Sequence, residues 1–503
     1  MEGNTTGMVI RGMSTLLNSV TVDGGLSGNS ADMRRRNGAM FDQIEVIKGH
    51  MPDRSPDGLG GTINLRSRSP LSLREKRRLT YNLSGRWAPS FLDHSPLRNG
   101  HRIHPLLNFS YQEVFSAFGG ERNLGVALNL FYSENTNTYF KTTRNRQDTL
   151  SSPAFVYQYN TLDGYNMRKQ ASMNLKVEYR PSLHSKYSLN TIYLDAYEPF
   201  NRLYETRASS AQTVGTTGNA AILPNYTDNI TEVRTGNIDV AETMFSFHNR
   251  DRQVYFTAEH NWGPLDVNYN LNYSRSRVVA GSAGGASTNL RLANVGWILD
   301  RSQSDLYPRF TQTSGLDMKN PDNYRPNGVM SSRDNRQQGG AKEAMLDIQY
   351  RLPSRFEWKL KAGGQWREGQ SILLGGTRQW SYLGGATPLP HDPAIITTDY
   401  VKTGRAIPQF EAASFLQYDK PVQPGLWQEN LYFYETSKYT GTNTVTDTKQ
   451  AGYLMTQGKF GLLGFAAGVR REKVETEAFG WVTGRSVSTT AERLADPAGS
   501  AQR

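Results

Sequence analysis

From residue 79 onward, apolar and polar residues alternate with a period of two. This is the pattern of a strand with one face in an apolar medium and the other in water. In "GPLDVNYNLNYSRS" at 263–276, Leu265, Val267, Tyr269, Leu271 and Tyr273 share one face, and Asp266, Asn268, Asn270, Asn272 and Ser274 share the other. Residues 172–179 set Met173, Leu175, Val177 and Tyr179 against Ser172, Asn174, Lys176 and Glu178. Residues 356–363 set Phe356, Trp358, Leu360 and Ala362 against Glu357, Lys359, Lys361 and Gly363, while 124–133 gather Leu124, Val126, Leu128, Leu130 and Tyr132 on one side. A soluble sandwich alternates too. These runs, however, reach about 9–11 residues, the span of a tilted membrane strand. Several begin or end on an aromatic residue, as an interfacial girdle does.

Eleven such strands are predicted, near 79–88, 105–115, 122–134, 169–180, 186–209, 250–261, 264–279, 342–352, 355–369, 450–458 and 460–479. Short turns fall at 116–121, 181–185, 262–264, 353–355 and Lys459, and long loops at 89–104, 135–168, 210–249, 280–341 and 370–449. Short turns on one rim and long loops on the other are the arrangement of an outer-membrane barrel, and a sandwich has no reason to keep that alternation. The fold class expected is therefore an all-β membrane barrel. Eleven strands in an open sheet leave two unpaired edges, which lipid does not tolerate. The pattern thus predicts a partial barrel, with further strands beyond the C-terminal end.

Composition agrees with this reading. Only 37% of residues are hydrophobic and the mean hydropathy is -0.61, and no apolar run of about 18 residues exists to make a membrane helix. A barrel shows its apolar half only at alternate positions, so the membrane stays open. The absence of cysteine excludes disulfide scaffolds and thiolate metal sites. The net charge of +11 admits nucleic acid or anionic lipopolysaccharide as partners. The charge is spread along the chain, however, and "RSRSPLSLREKRR" at 66–78 reads as a solvated linker, so no nucleic-acid partner is expected. The histidines show no HExxH or other compact ligand spacing. His101 and His104 merely share the first long loop with Asp93 and His94, and neither a metal nor a cofactor is expected. No Gly-rich phosphate loop precedes a helix and no G-x-S-x-G elbow occurs. No catalytic residue is assigned, and the chain reads as a non-enzyme.

Residues 1–70 depart from the barrel pattern. "FDQIEVIKGHMPDRSPDGLGGTINLRSRS" at 41–69 predicts two short strands around a Gly/Pro/Asp connection, too small a sheet to stand alone. The start, "MEGNTTGMVIRGM", lacks the basic and apolar regions of a signal peptide. Four motifs occur in order: Ile10-Arg11-Gly12, "VTVDGG" at 20–25, "IEVIKG" at 44–49 and "GGTINLRSR" at 60–68. Together they resemble the second half of the plug domain of TonB-dependent outer-membrane receptors. His50 stands where the family commonly has Pro, and "MPDRSPDG" replaces a short Tyr-Gly segment.

The resemblance implies an α+β plug remnant at 1–70, a basic linker at 71–78, and at 79–503 the first half of a barrel expected to hold 22 strands. It also implies a missing signal peptide, TonB box and first plug half. The implied partners are the TonB complex, outer-membrane lipid and lipopolysaccharide, and an imported small solute, in the outer membrane of a diderm bacterium. The implied plug residues are Arg11, Gly12, Asp23, Gly24, Glu45, Lys48, Gly49, Gly60, Gly61 and Asn64. Glu45, Lys48 and Arg11 are expected to pair with inward barrel charges, and the glycines to permit left-handed or close-packed backbone. Tyr139, Phe140, Trp297, Trp380 and Tyr382 fall in predicted long loops, where they could stack on a sugar or an aromatic chelate or simply pack. A passive porin-like channel and a surface-binding protein that transports nothing stay open as alternatives.

Overall fold

The computed structural model describes residues 9–29, 38–49, 51–87, 101–148, 150–281, 286–305, 308–387, 416–417, 420–421, 424–482 and 488–502. Asp93, His94 and His50 lie outside them.

The N-terminal part forms a four-stranded sheet of β1 (Asn18–Val22), β2 (Gly25–Asn29), β3 (Phe41–Ile47) and β4 (Gly61–Ser67), in the order β2-β1-β4-β3. β1 runs parallel to β4, with Val20 opposite Ile63 and Val22 opposite Leu65, and the other two pairings are antiparallel. The strands form where the four motifs stand. An α+β plug was expected; among the described residues this part carries 3-10 turns but no α-helix. The helical turns described there are Thr15–Leu17 and Gly38–Met40.

The wall begins with β5 (Arg77–Trp87), β6 (Ile103–Phe115), β7 (Leu124–Arg146), β8 (Val156–Ser182), β9 (Ser185–Ser209), β10 (Ile230–Trp262) and β11 (Leu265–Ala280). The chain then leaves it for β12 (Ala286–Asp300), β13 (Arg309–Ser314), β14 (Arg325–Pro326) and β15 (Met330–Arg333). It returns with β16 (Asn335–Arg351) and β17 (Glu357–Leu374). A second excursion holds β18 (Thr377–Tyr382), β19 (Leu416–Gln417), β20 (Lys420–Pro421), β21 (Trp427–Glu429) and helix α1 (Leu431–Thr440). Then come β22 (Asn443–Phe460) and β23 (Leu463–Gly480), followed by two short helices, α2 (Thr490–Ala495) and α3 (Pro497–Gln502). All eleven predicted strands are present as β5–β11, β16, β17, β22 and β23.

The strand order is that of a closed barrel. Each strand pairs with the next from β5 through β6, β7, β8, β9, β10, β11, β16, β17 and β22 to β23, with register shifts in the β7–β8, β8–β9 and β9–β10 pairs. No register joins β23 back to β5 among the described residues, and every residue of β5 is exposed. Among the described residues the wall is therefore barrel-ordered with a seam between its end strands, since an edge that was paired would be covered on its hydrogen-bonding side.

Three details differ from expectation. The last short turn is Gly461-Leu462, not Lys459, because β22 and β23 pair as far as Phe460 and Leu463 and Gly461 takes a φ of +60°. The predicted loop 135–168 is largely strand and so is the second half of 210–249, since β7, β8 and β10 continue well past the apolar alternation. Finally, the outer extensions fold into a cap with its own core, including Phe155, Ile222, Ile238, Leu292, Trp297, Leu299, Tyr324 and Trp380.

On the wall's outer face, Leu83, Leu107, Leu271, Leu346, Leu360 and Leu454 are exposed, while the inner face buries Asn129, Asn174, Lys176, Glu178 and Asn190. Aromatic pairs gather at the short-turn rim: Phe356 with Phe460 at 4.3 Å, Phe118 with Tyr179 at 5.7 Å, and Trp262 stacked on His260 at 4.9 Å. An apolar belt bordered by aromatics and enclosing a polar interior is the reverse of a water-soluble fold.

Candidate functional site

The small sheet sits against the inner face of the wall and is held there in two chemically different ways. On one side it packs. Ile10, Val20, Val22, Met40, Ile63 and Leu65 form a core that the wall completes with Ile192 and Leu194 of β9 and Tyr255 of β10. On the other side it is held by charge. The connection between β3 and β4 carries Asp53, 2.6 Å from Lys361 of β17, and Asp57, 3.0 Å from Arg367 of β17 and in direct contact with Lys449 of β22. Ser55 accepts a further hydrogen bond from Lys449 at 3.2 Å. Lys449 and Arg470 share Glu472 of β23 at 3.5 and 2.7 Å, and Arg470 also donates to the Pro52 carbonyl at 3.3 Å. Burial alone would push the Asp57 carboxyl up, but the Lys449 ammonium, Ser55 and Arg367 outweigh it and hold the group below its ordinary 3.8.

A third anchor is the turn at Asp23-Gly24. Both residues have positive φ, +48° and +87°, as a two-residue type I′ hairpin requires, and Asp-Gly is a preferred pair for it. The Asp23 carboxylate accepts from the Ser67 amide and from Asn190 Nδ2, each at 2.9 Å, and lies 3.8 Å from Lys176 of β8. The Lys176 ammonium also donates to Ser67 Oγ at 2.8 Å and faces Glu178 at 3.4 Å.

Among the predicted plug residues, Asp23, Gly24, Glu45 and Asn64 come together. Asn64 accepts from Thr21 Oγ1 at 2.9 Å and from the Gly24 amide at 3.1 Å, and donates to Glu45 at 2.8 Å. Glu45 does not reach the wall as expected. Its ion pair is with Arg66 of β4 at 2.6 Å, because Glu45 stands opposite Asn64 on β3, next to Arg66 across the ladder. The Asn64 hydrogen bond and the Arg66 guanidinium together hold its carboxyl below 4.5.

Lys48 and Arg11 are exposed and make no ion pair among the described residues. Lys48 has run past the end of β3, and Arg11 with Gly12 forms a tight corner at φ of +54° and +73°. Gly49 is exposed with open space where a Cβ would stand, so it is under no packing demand. Gly60 and Gly61 do meet the close-packing expectation. A Cβ on Gly60 would lie 2.1 Å from Asn18 Oδ1, and Gly61 has a φ of +147° with the Ile47 carbonyl 2.7 Å from its Cβ position.

The aromatic residues expected in loops all lie on strands. Tyr139 and Phe140 lie on β7, opposite Gly164 and Asp163, and not in a loop. Trp297 on β12 is fully buried and stacks on Phe310 at 5.5 Å, and Trp380 on β18 is 3% exposed. Tyr382 packs on Trp427 at 5.2 Å and donates to the Thr387 carbonyl at 3.0 Å. Trp297, Trp380 and Tyr382 belong to the cap core and its margin, so packing accounts for them. Asp53, Asp57, Arg367, Lys449 and Arg470 escaped the sequence reading. The detectable signal was the row of inward lysines opposite an acidic, Pro-rich connection.

No family model and no curated protein matches the sequence. Among solved structures, the chain is similar to the ferric citrate transporter FecA in its unliganded form, at 11% identity and a TM-score of 0.29, covering 94% of this chain and 68% of that one. It is also similar to BauA, the ferric preacinetobactin receptor of Acinetobacter baumannii, at 11% identity and a TM-score of 0.27, covering 94% and 69%. A third is FauA, the alcaligin outer-membrane receptor of Bordetella pertussis, at 10% identity and a TM-score of 0.22, covering 95% and 89%. At TM-scores below 0.5 these likenesses carry no argument, and the functional reading rests on the residues themselves.

Proposed function

We propose that this chain is plug and barrel wall of a TonB-dependent receptor, which takes up a scarce, bulky solute across an outer membrane at the expense of the proton-motive force. In this reading residues 1–70 are the second half of the plug, 71–78 the linker and 79–503 the first half of the barrel. The observation that carries it is the seating of the motif-bearing sheet on the wall's inner face. One side of that sheet is held by Asp53 and Asp57 on wall cations, and the other by a small apolar contact. Polar and ionic contacts exchange readily with water, so a pull on the plug can release that side without exposing a large hydrophobic core. Solute specificity lies with the cap and the plug surface beneath it. Siderophore, cobalamin, haem and oligosaccharide are the candidate classes.

The test is uptake of labelled members of each class by cells producing the protein, with and without a protonophore. Uptake of one class that stops when the proton-motive force is dissipated supports the reading. Uptake that persists overturns it in favour of a passive channel, and binding without uptake overturns it in favour of a surface receptor. Steady conductance in a planar bilayer separates the channel from both, since a wall filled by this plug conducts poorly.

A further inference from the structure

At the end of the wall away from the short turns, three side chains that the plug does not use converge: His101 just before β6, His104 on β6 and Glu134 on β7. Glu134 was invisible to sequence spacing, because strand pairing brings it across from thirty positions away. His101 Nε2 lies 2.8 Å from Glu134 Oε2, and His104 Nδ1 lies 3.9 Å from the same oxygen. The two imidazoles are 5.1 Å apart and tilted by 30°. Glu134 Oε1 is otherwise engaged, with Tyr132 donating to it at 2.5 Å and the Lys169 ammonium at 3.3 Å. Oε2 therefore faces the histidines.

His104 is the informative member. It is 1% exposed, and its Nδ1 has no hydrogen-bond partner among the described residues. Its Nε2 meets Thr136 Oγ1 at 3.2 Å. If Nε2 carries the proton, Nδ1 presents a bare lone pair to a carboxylate oxygen, two buried acceptors facing each other. If Nδ1 carries it, 3.9 Å is too long for a hydrogen bond. Neither tautomer satisfies the atom, and a buried unsatisfied polar atom calls for an explanation.

We propose that His101, His104 and Glu134 bind a divalent transition-metal ion of the zinc class. Two imidazole nitrogens and one carboxylate oxygen suit zinc, nickel, copper or ferrous iron, whereas calcium and magnesium require oxygen ligands. Three protein ligands leave a coordination position open. The Thr136 hydroxyl then serves as the outer partner that fixes the His104 tautomer, with Nε2 donating and Nδ1 free to ligate. The ligand atoms lie within 4.8 Å of one another, whereas ligands around tetrahedral zinc stand roughly 3.3 Å apart, given bonds of about 2.0–2.1 Å. His101 closes the difference, since its side chain is 54% exposed and free to swing inward. Two cations oppose the ion: Lys169 on Glu134, and Arg86, whose charge acts on His104. The site stands whether or not the chain transports anything.

The experiment titrates the detergent-purified chain with cobalt(II) alone, reading visible d–d absorption, and displaces it with zinc(II). Expected are one saturable equivalent and an affinity that falls by about tenfold or more in His101→Gln, whose exposed position leaves the fold intact. Lys169→Met is expected to bind more tightly, because it removes the cation competing for Glu134, an effect that a purely structural cluster would not produce. Absence of saturable cobalt binding overturns the proposal, as does binding that His101→Gln leaves unchanged. Weakened binding in Lys169→Met would also overturn it. In that case the cluster is a contact between His101 and Glu134 that holds no ion.

Discussion

Asp57 holds cations from two different wall strands, Lys449 and Arg367, and its carboxyl titrates below 3.8 because that pairing outweighs burial. A carboxyl with a depressed folded value contributes stability that is fully present above its ordinary value. That contribution is lost as pH falls through the depressed one. The charged side of the plug should therefore stay docked at neutral pH and loosen only in acid, at pH below about 4. The chain has no cysteine, so a single Leu59→Cys, at an exposed position, carries a spin label beside this anchor. The label should be immobile at pH 7 and mobile in acid. In Asp57→Asn it should be mobile at both, since losing a charged hydrogen bond costs about 1–3 kcal/mol. A native label already mobile at pH 7 would show that Asp57 does not hold the plug. Lys176 is a harsher case. It is 8% exposed and Glu178 beside it is 2% exposed, so Lys176→Met takes the cation from a buried carboxylate that keeps, among the described residues, only the Ser69 hydroxyl and the Leu71 amide as donors, at a cost of roughly 3–5 kcal/mol. Lys176→Met should lower the urea midpoint clearly more than Lys361→Met does. Equal shifts would mean that water reaches Glu178.

Between elements, the plug's apolar contact with β9 and β10 resists what the charged side yields. Leu194 is 4% exposed and completes the plug core from the wall. Leu194→Ala should cost about 2–5 kcal/mol and speed amide exchange at Val20 and Val22 while β7 and β8 stay protected; unchanged exchange at β1 would mean that β1 does not depend on this contact. The same elements explain what was readable beforehand. All eleven wall strands were legible because each crosses an apolar layer on one face only, which imposes the period of two. Their outer extensions were not, because beyond that layer both faces meet water or cap and the alternation ends. The strands of the small N-terminal sheet were legible through Gly and Asp at fixed offsets, as in the Asp23-Gly24 turn. Its attachments were not, because Asp53 and Asp57 sit in an aperiodic connection whose partners, Lys361 and Lys449, lie hundreds of residues away. Trp297 and Trp380 looked like loop aromatics because a folded cap cannot be told from a loop until its strands have partners.

For the whole molecule the seam is decisive. β5 has eleven residues, and in an antiparallel strand about half of the N–H and C=O groups point to each side, so roughly ten backbone polar groups along that edge have no strand partner in register among the described residues. In hydrocarbon each costs several kcal/mol, a sum far beyond the 5–15 kcal/mol by which a domain is stable. Within a bilayer this edge must therefore pair with a strand, and among the described residues β23 of the same wall shares no register with it. The expectation is that β5 and β23 each pair with strands this sheet does not itself contain. Leu83 and Val469 are exposed on those two strands and can be replaced by cysteine in an otherwise cysteine-free chain. In lipid nanodiscs, a mixture of Leu83→Cys and Val469→Cys chains should cross-link between molecules when no other strands are supplied. A rapid internal cross-link in the doubly substituted monomer would instead show the two edges joined and the barrel closed on eleven strands, and the plug would then fill a complete pore.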